Sequence, residues 1–172
     1  MFLRRGKKRK KKPLTTRGVR FGYSEQEVLK NIDFDLNKGE LVAIIGKSGS
    51  GKSTFLKLIG GIISLNYSGK IRIFNRPKFL RKSKIGFVPQ ENAFISDLSL
   101  RDNIKVIGLN QGVLESISIK RSEEYLKMLK LDESMNKKPD ELSGGQKVRF
   151  NIILSLLHNP DLLILDEPFV GL

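Results

Sequence analysis

Eight consecutive residues, Gly46-Lys47-Ser48-Gly49-Ser50-Gly51-Lys52-Ser53, follow the pattern G-x-x-x-x-G-K-[ST]. Each residue type contributes to phosphate binding. Glycines let the backbone wrap so that successive N–H groups converge on phosphate oxygens. The helix expected after the loop presents its N-terminus, the positive end of its dipole, to the same anion. Lys52 is expected to reach the β- and γ-phosphates and the Ser53 hydroxyl to ligate Mg²⁺. A chance turn rich in Gly, Ser and Lys would share this composition, but the motif follows an apolar run and opens a helical one, as phosphate binding requires. Far downstream, Leu162-Leu163-Ile164-Leu165 ends in Asp166-Glu167. Acids at the C-terminal end of a buried strand lie where open α/β sheets place their ligands. With a phosphate loop upstream, Asp166 is expected to hold Mg²⁺, usually through water, and Glu167 to polarise the attacking water. The bland alternative is a solvated acidic turn before Pro168.

These residues need elements to position them. Residues 14–23 and 32–36 alternate enough to be strands, the second as Ile32-Asp33-Phe34-Asp35-Leu36 with its apolar side chains on one face. Lys38-Gly39 reads as a turn. Leu41-Val42-Ala43-Ile44-Ile45 is a continuous branched apolar run, the signature of a strand buried on both faces of a sheet. After the phosphate loop, Thr54–Ile59 reads as a helix closed by Gly60-Gly61. Ile71–Phe74 and Ile85–Val88 are further strand candidates, and Leu162–Leu165 reads as a second buried strand. From about 95 to 158 the pattern is helical. Ser99 with Asp102 three residues on is a capping signature, Lys120–Leu131 is amphipathic, and Gln146–Leu157 has an apolar face. The layout predicts an α/β fold: a mainly parallel sheet core, antiparallel N-terminal strands, and a helical insertion over about 95–155.

Composition narrows the chemistry. The chain has 172 residues, 39% hydrophobic and 29% charged, a globular balance that excludes wholesale disorder. Without cysteine there is no disulfide scaffold, thiol catalysis or Cys-bearing zinc site. One histidine leaves no soft metal cluster, so any metal is hard and oxygen-bound. No run approaches the ~18 apolar residues of a membrane span. The net charge of +14 is uneven. Arg4, Arg5, Lys7, Lys8, Arg9, Lys10, Lys11 and Lys12 put eight basic residues into a nine-residue window, leaving 24 basic against 18 acidic elsewhere. Residues 1–13 therefore read as a disordered basic arm. It has no apolar region of secretory-signal type. A solvated leader, a clamp to anionic lipid, and a nucleic-acid or import segment are the three readings of this arm.

Between the two phosphate motifs lies Leu142-Ser143-Gly144-Gly145-Gln146. By itself this is a helix cap with Ser143 at the N-cap. With the phosphate loop before it and Leu-Asp-Glu-Pro after it, the sequence resembles the nucleotide-binding domain of ATP-binding cassette (ABC) proteins from about residue 14 to the last residue. That resemblance implies a P-loop NTPase fold, ATP and Mg²⁺ as ligands, and ATP hydrolysis. It implies nucleotide contacts from Gly46 through Thr54 and from Ser143, Gly144, Gly145 and Gln146 of a second copy. It assigns Tyr23 as the aromatic that stacks on adenine. Gln90, in Phe87-Val88-Pro89-Gln90, resembles the glutamine that senses Mg²⁺ and the γ-phosphate, so catalysis would rest on Glu167 and Gln90 and metal binding on Ser53, Gln90 and Asp166. Asp97–Ile104 resembles the segment that faces the membrane partner. Arg149 and Leu156 match the helix after the signature. Leu154 departs from it, where an arginine is usual.

The family pattern also has an aspartate after Gly171-Leu172 and a switch histidine some tens of residues beyond. His158, the only histidine, precedes the acidic pair and reads as an ordinary helix-end residue. The expectation is therefore a partial ABC ATP-binding domain over 14–172: a fragment, a truncated product or a partial gene model. The implied function is the ATP-binding subunit of an ABC transporter. It would pair with a second ATP-binding domain and a separate transmembrane permease, cytoplasmic and peripheral on the inner face of the cell membrane. The basic arm would lie near an anionic membrane surface, with nucleic acid the disfavoured partner. The alternatives are a soluble ABC-family ATPase acting on ribosomes or nucleic acid, and a catalytically inactive fragment.

Overall fold

A computed structural model describes residues 12–23, 26–64, 66–74, 76–77 and 85–168. Nearly all of the basic arm, and the Gly171-Leu172 pair, lie outside the described residues. The chain divides into two compact units, Met1–Arg81 and Lys82–Leu172.

The first unit is built on an antiparallel sheet in the order β2-β1-β3-β4. Its strands are β1 (Leu14–Tyr23), β2 (Gln26–Leu36), β3 (Ser68–Ile73) and the short β4 (Arg76–Pro77). In β1, Leu14, Thr16, Val19 and Phe21 are buried while Arg17 and Arg20 are exposed. The alternation crosses a register shift between Thr16 and Val19. Leu29, Ile71 and Ile73 of the strands and Phe55, Leu58 and Ile59 of helix α1 (Lys52–Gly60) are buried, with Phe34 and Phe55 edge to face at 6.0 Å. β2 begins six residues earlier than its alternation alone predicted, because the β1 ladder continues to Tyr23↔Gln26. On the outer face Asp35 Oδ2 accepts from both Lys12 Nζ and Arg17 NH2. Arg17 first, then Lys12, holds the Asp35 carboxyl well below the usual carboxylate range.

One expectation fails in this unit. Lys38-Gly39 does form a turn, with Gly39 at φ 78° and Glu40 N donating to Asn37 O at 3.1 Å. The apolar run after it is not a strand. Leu41–Ile45 belongs to no ladder among the described residues, and Leu41 and Ile45 are 93% and 91% exposed. Composition can specify an apolar extended segment, but a strand exists only where neighbours supply its hydrogen bonds.

The second unit pairs β5 (Ile85–Val88) in parallel with β6 (Leu162–Leu165), from Ile85↔Leu162 to Val88↔Leu165. Three helices accompany them: α2 (Leu100–Asn110), α3 (Glu115–Met128) and α4 (Gly144–Leu156). Ser99 caps α2 as expected, its Oγ accepting from Asp102 N at 3.1 Å. The core comprises Leu100 and Ile104 of α2, Leu126 of α3, Phe150, Ile153 and Leu154 of α4, and Leu131, Leu142 and Leu157 from the connections. α4 packs so close to β5 that a Cβ on Gly86 would lie 2.7 Å from Ser155 O. β6 is less enclosed than its composition suggested: Leu162 and Ile164 are buried, whereas Leu163 is 37% exposed. Leu165 is half-buried.

Candidate functional site

In the first unit the phosphate loop leads directly into α1. Gly46, Lys47, Ser48, Gly49 and Ser50 are exposed, and Gly51, Lys52, Ser53 and Thr54 are half-buried. Ser50 N donates to Lys47 O at 3.2 Å, closing the turn. Gly51 is the N-cap of α1 at φ 89°, a backbone that strains any L side chain. A Cβ there would also lie 3.0 Å from Val28 Cγ1 and 3.1 Å from Leu29 Cδ2. No side chain caps this end, and its first turn contains no acid. The helix start is thus left for an external anion. Lys52 Nζ folds back over the loop, donating to Gly46 O at 3.1 Å and Lys47 O at 3.0 Å. An ammonium resting on two carbonyls at the loop's mouth is placed to exchange them for phosphate oxygens. Tyr23, the last residue of β1, is 46% exposed, its ring edge-on to Phe21 at 5.0 Å.

In the second unit the acidic pair follows β6. Asp166 N donates to Val88 O at 2.9 Å, extending the parallel pairing to the residue just before Pro89-Gln90. Asp166 is 1% exposed, and neither carboxylate oxygen has a hydrogen-bond partner. A buried unpaired carboxylate is costly unless a cation meets it, and hard oxygen donors suit Mg²⁺. Asp166 therefore fits a metal ligand, and the Ser53 hydroxyl and Gln90 amide oxygen belong to the same donor class. Glu167 is exposed and sits at φ 47°, a left-handed conformation that costs a glutamate on the order of 1–3 kcal/mol. Gln90 is exposed and lines an open cleft of about 330 Å³ with Asn92, Gly144, Lys147, Asn151 and Pro168. The Gln90 segment, the first helical residue of α4 and the neighbour of Glu167 thus share one cleft.

Leu142-Ser143-Gly144-Gly145-Gln146 forms a helix start of the kind the sequence suggests. Ser143 Oγ accepts from Gln146 N at 3.3 Å, and Ser143 N donates to Gln146 Oε1 at 2.8 Å. Buried Leu142 anchors the turn, while Ser143 and Gly144 are exposed and the first turn of α4 contains no acid.

A profile of the family described as ABC transporter matches residues 29–170, a span that holds the phosphate loop, the signature and the acidic pair. This chain belongs to the ABC transporter family. It is 38% identical over 167 residues to the ergothioneine transport ATP-binding protein EgtV of Helicobacter pylori (strain G27), covering 94% of this chain and 78% of that one. It is 36% identical over 160 residues to the putative hemin import ATP-binding protein HrtA of Staphylococcus aureus (strain bovine RF122 / ET3-1), covering 88% and 72%. Among solved structures it resembles cbiO1 from Clostridium perfringens, part of the ABC transporter complex cbiONQ. There the identity is 31% and the TM-score 0.81, over 94% of this chain and 68% of that one. Another likeness, 28% identical with a TM-score of 0.79, is the ATP-binding subunit of an ABC transporter. Members of this ATP-binding branch are ATPases.

Within the ABC frame, the departure at Leu154 has a packing explanation. The side chain is 2% exposed inside the apolar core, and its carbonyl accepts from Gln111 Nε2 at 3.0 Å. His158 is a structural residue, as expected: Nδ1 meets Gln111 Oε1 and Nε2 meets Ile85 O, each at 3.1 Å.

Two residues that sequence reasoning passed over shape the Gln90 segment. Asn151 of α4 is 5% exposed, and its Oδ1 accepts from Ala93 N at 3.0 Å while its Nδ2 donates to Asn92 Oδ1 at 3.3 Å. Asn103 of α2 is fully buried, accepting from Ile95 N at 2.7 Å and donating to Ile95 O, Leu98 O and Ser99 O. The available signal was an amide on the apolar face of a helix, between Leu100 and Ile104 in α2 and beside Phe150 in α4. Buried amides seldom sit there without a bonding task. Asn151→Ala is expected to cost about 0.5–1.5 kcal/mol per hydrogen bond lost, because it removes the bonds to Ala93 N and Asn92 Oδ1. Amide hydrogen exchange at Ala93 should accelerate at least tenfold, and unchanged protection would contradict the clamp.

Proposed function

We propose that this chain is the ATP-hydrolysing subunit of a membrane transporter, acting with a second ATP-binding domain and a separate permease. Its place is cytoplasmic, peripheral on the inner face of the membrane, with the basic arm directed at anionic lipid. The observation that carries the reading is the uncapped, left-handed glycine entry to α1 with Lys52 folded over it. The partnerless carboxylate of Asp166 at the end of β6 supports it.

The backbone N–H groups from Gly46 to Thr54 bind the phosphates, Lys52 pairs with the β- and γ-phosphate oxygens, and Tyr23 stacks on adenine. Ser53, Gln90 and Asp166 hold Mg²⁺, which when bound neutralises charge on the phosphate oxygens. Glu167 accepts a proton from water as the water oxygen bonds to the γ-phosphorus. The bond to the β,γ-bridging oxygen breaks, and ADP leaves with that oxygen. Ser143, Gly144, Gly145 and Gln146 of one copy close on the nucleotide held by the phosphate loop of the other, so each site needs both. The segment Asp97–Ile104 passes closure to the permease, whose contacts set the transported compound.

Metal removal tests the donor set. With EDTA in place of Mg²⁺, ATP affinity should fall about tenfold or more, and added Mg²⁺ should restore it. In Asp166→Asn the gain on adding Mg²⁺ should shrink. An affinity indifferent to Mg²⁺ in the unmodified chain would contradict the assignment.

A further inference from the structure

The outer face of the first unit's sheet carries an arrangement that ATP chemistry leaves unused. The β1–β3 register sets Arg17 opposite Lys70 and Thr15 opposite Arg72. These four side chains line a hollow of about 270 Å³, and Arg17, Lys70 and Arg72 are all exposed. Like charges directly opposite on one sheet face are destabilising, so a sequence selected for folding alone would set an acid across from Lys70. The acids nearby are already engaged. Asp35 serves both Arg17 and Lys12, Asp33 Oδ1 accepts from Gly18 N at 2.6 Å, and Glu27 pairs with Arg20. Among the described residues no ion pair reaches Lys70 or Arg72. The face also continues a theme of the sequence, because Lys12, tied to Asp35, is the last member of the basic run that enters β1.

We propose that this sheet face, centred on Arg17, Lys70 and Arg72, docks onto the anionic headgroups of a membrane surface. Charge complementarity selects the occupant: Lys70 and Arg72, which no ion pair reaches among the described residues, lie beside the Asp35-bound Arg17, and exposed cations on a sheet face fit a plane of negative charge. None of the four residues lining the hollow is aromatic, which disfavours a single-stranded nucleic acid, whose bases need stacking surfaces. The proposal rests on the membrane placement proposed above and deepens it. The folded sheet, in addition to the arm, supplies contact and sets the orientation of the first unit on the leaflet.

The test is flotation of the full chain with vesicles of phosphatidylcholine, with or without phosphatidylserine. The unmodified chain should bind only the anionic vesicles. Lys70→Gln combined with Arg72→Gln should weaken that binding about thirty-fold, from about 1 kcal/mol per basic residue near an anionic surface. Lys70→Arg with Arg72→Lys should bind like the unmodified chain, which separates charge from packing. A chain with Gln at Arg4, Arg5 and Lys7 through Lys11 isolates the sheet, and in that background the Lys70/Arg72 substitutions should remove the remaining partition. If the Gln pair leaves binding unchanged in both backgrounds, the sheet proposal fails, whether or not the arm binds lipid. Capture of an oligonucleotide with no binding to anionic vesicles would overturn it in favour of nucleic acid. An unmodified chain that ignores both vesicle types would overturn it together with the membrane placement.

Discussion

Lys52→Ala is expected to lower ATP affinity by about a hundredfold or more while leaving the fold intact. The ammonium donates to two backbone carbonyls of its own loop, Gly46 O and Lys47 O, and both belong to an exposed segment that water can solvate. Losing these two hydrogen bonds therefore costs the empty protein little. In the nucleotide complex the same donor serves phosphate oxygens, and charge-assisted hydrogen bonds contribute about 1.5–3 kcal/mol each. Two such bonds correspond to at least about 3 kcal/mol, hence the hundredfold estimate. Equilibrium binding of a fluorescent ATP analogue reads the affinity, and circular dichroism checks the fold. Lys52→Arg should recover only part of the loss, because a planar fork replaces a compact point charge. Unchanged affinity in Lys52→Ala would remove the phosphate loop from the account.

Glu167→Gln should separate binding from turnover. The side chain is exposed beside the buried Asp166, and the amide keeps its size while losing the ability to take a proton. General-base assistance is worth about 10²- to 10⁴-fold in rate, so phosphate release by the assembled transporter should fall by that factor with ATP affinity nearly constant. The left-handed backbone at residue 167 is equally accessible to glutamine. A variant that hydrolyses ATP at the unmodified rate would show that another group activates the water. The reaction scheme above would then need a different base.

The contrast between these two sites and the rest of the molecule marks where local sequence carries the information. The phosphate loop is legible because its constraints are local: glycines at left-handed positions, a lysine at the first helical residue, and a helix start within eight consecutive residues. The Ser143/Gln146 and Ser99/Asp102 caps are legible for the same reason, since each closes across three residues. Leu41–Ile45 was misread because a strand depends on neighbours that composition does not name, and here no described residue pairs with it. In β6 the four apolar residues imply two covered faces; Leu162 and Ile164 are buried, while on the other side Leu163 is 37% exposed and Leu165 half-buried. The role of Asn151 was hidden because its partners, Asn92 and Ala93, lie 59 and 58 residues away. The cationic face was invisible for a related reason, as Arg17 and Lys70 become neighbours only through the β1–β3 register.

The central claim is that the entry to α1 is a nucleotide site, and equilibrium dialysis of the unmodified chain against radiolabelled Mg-ATP tests it most directly. Saturable binding of one ATP per chain is expected, displaced by ADP and by unlabelled ATP. Absence of saturable binding by folded chain, or binding that inorganic phosphate and ATP displace equally well, would contradict it.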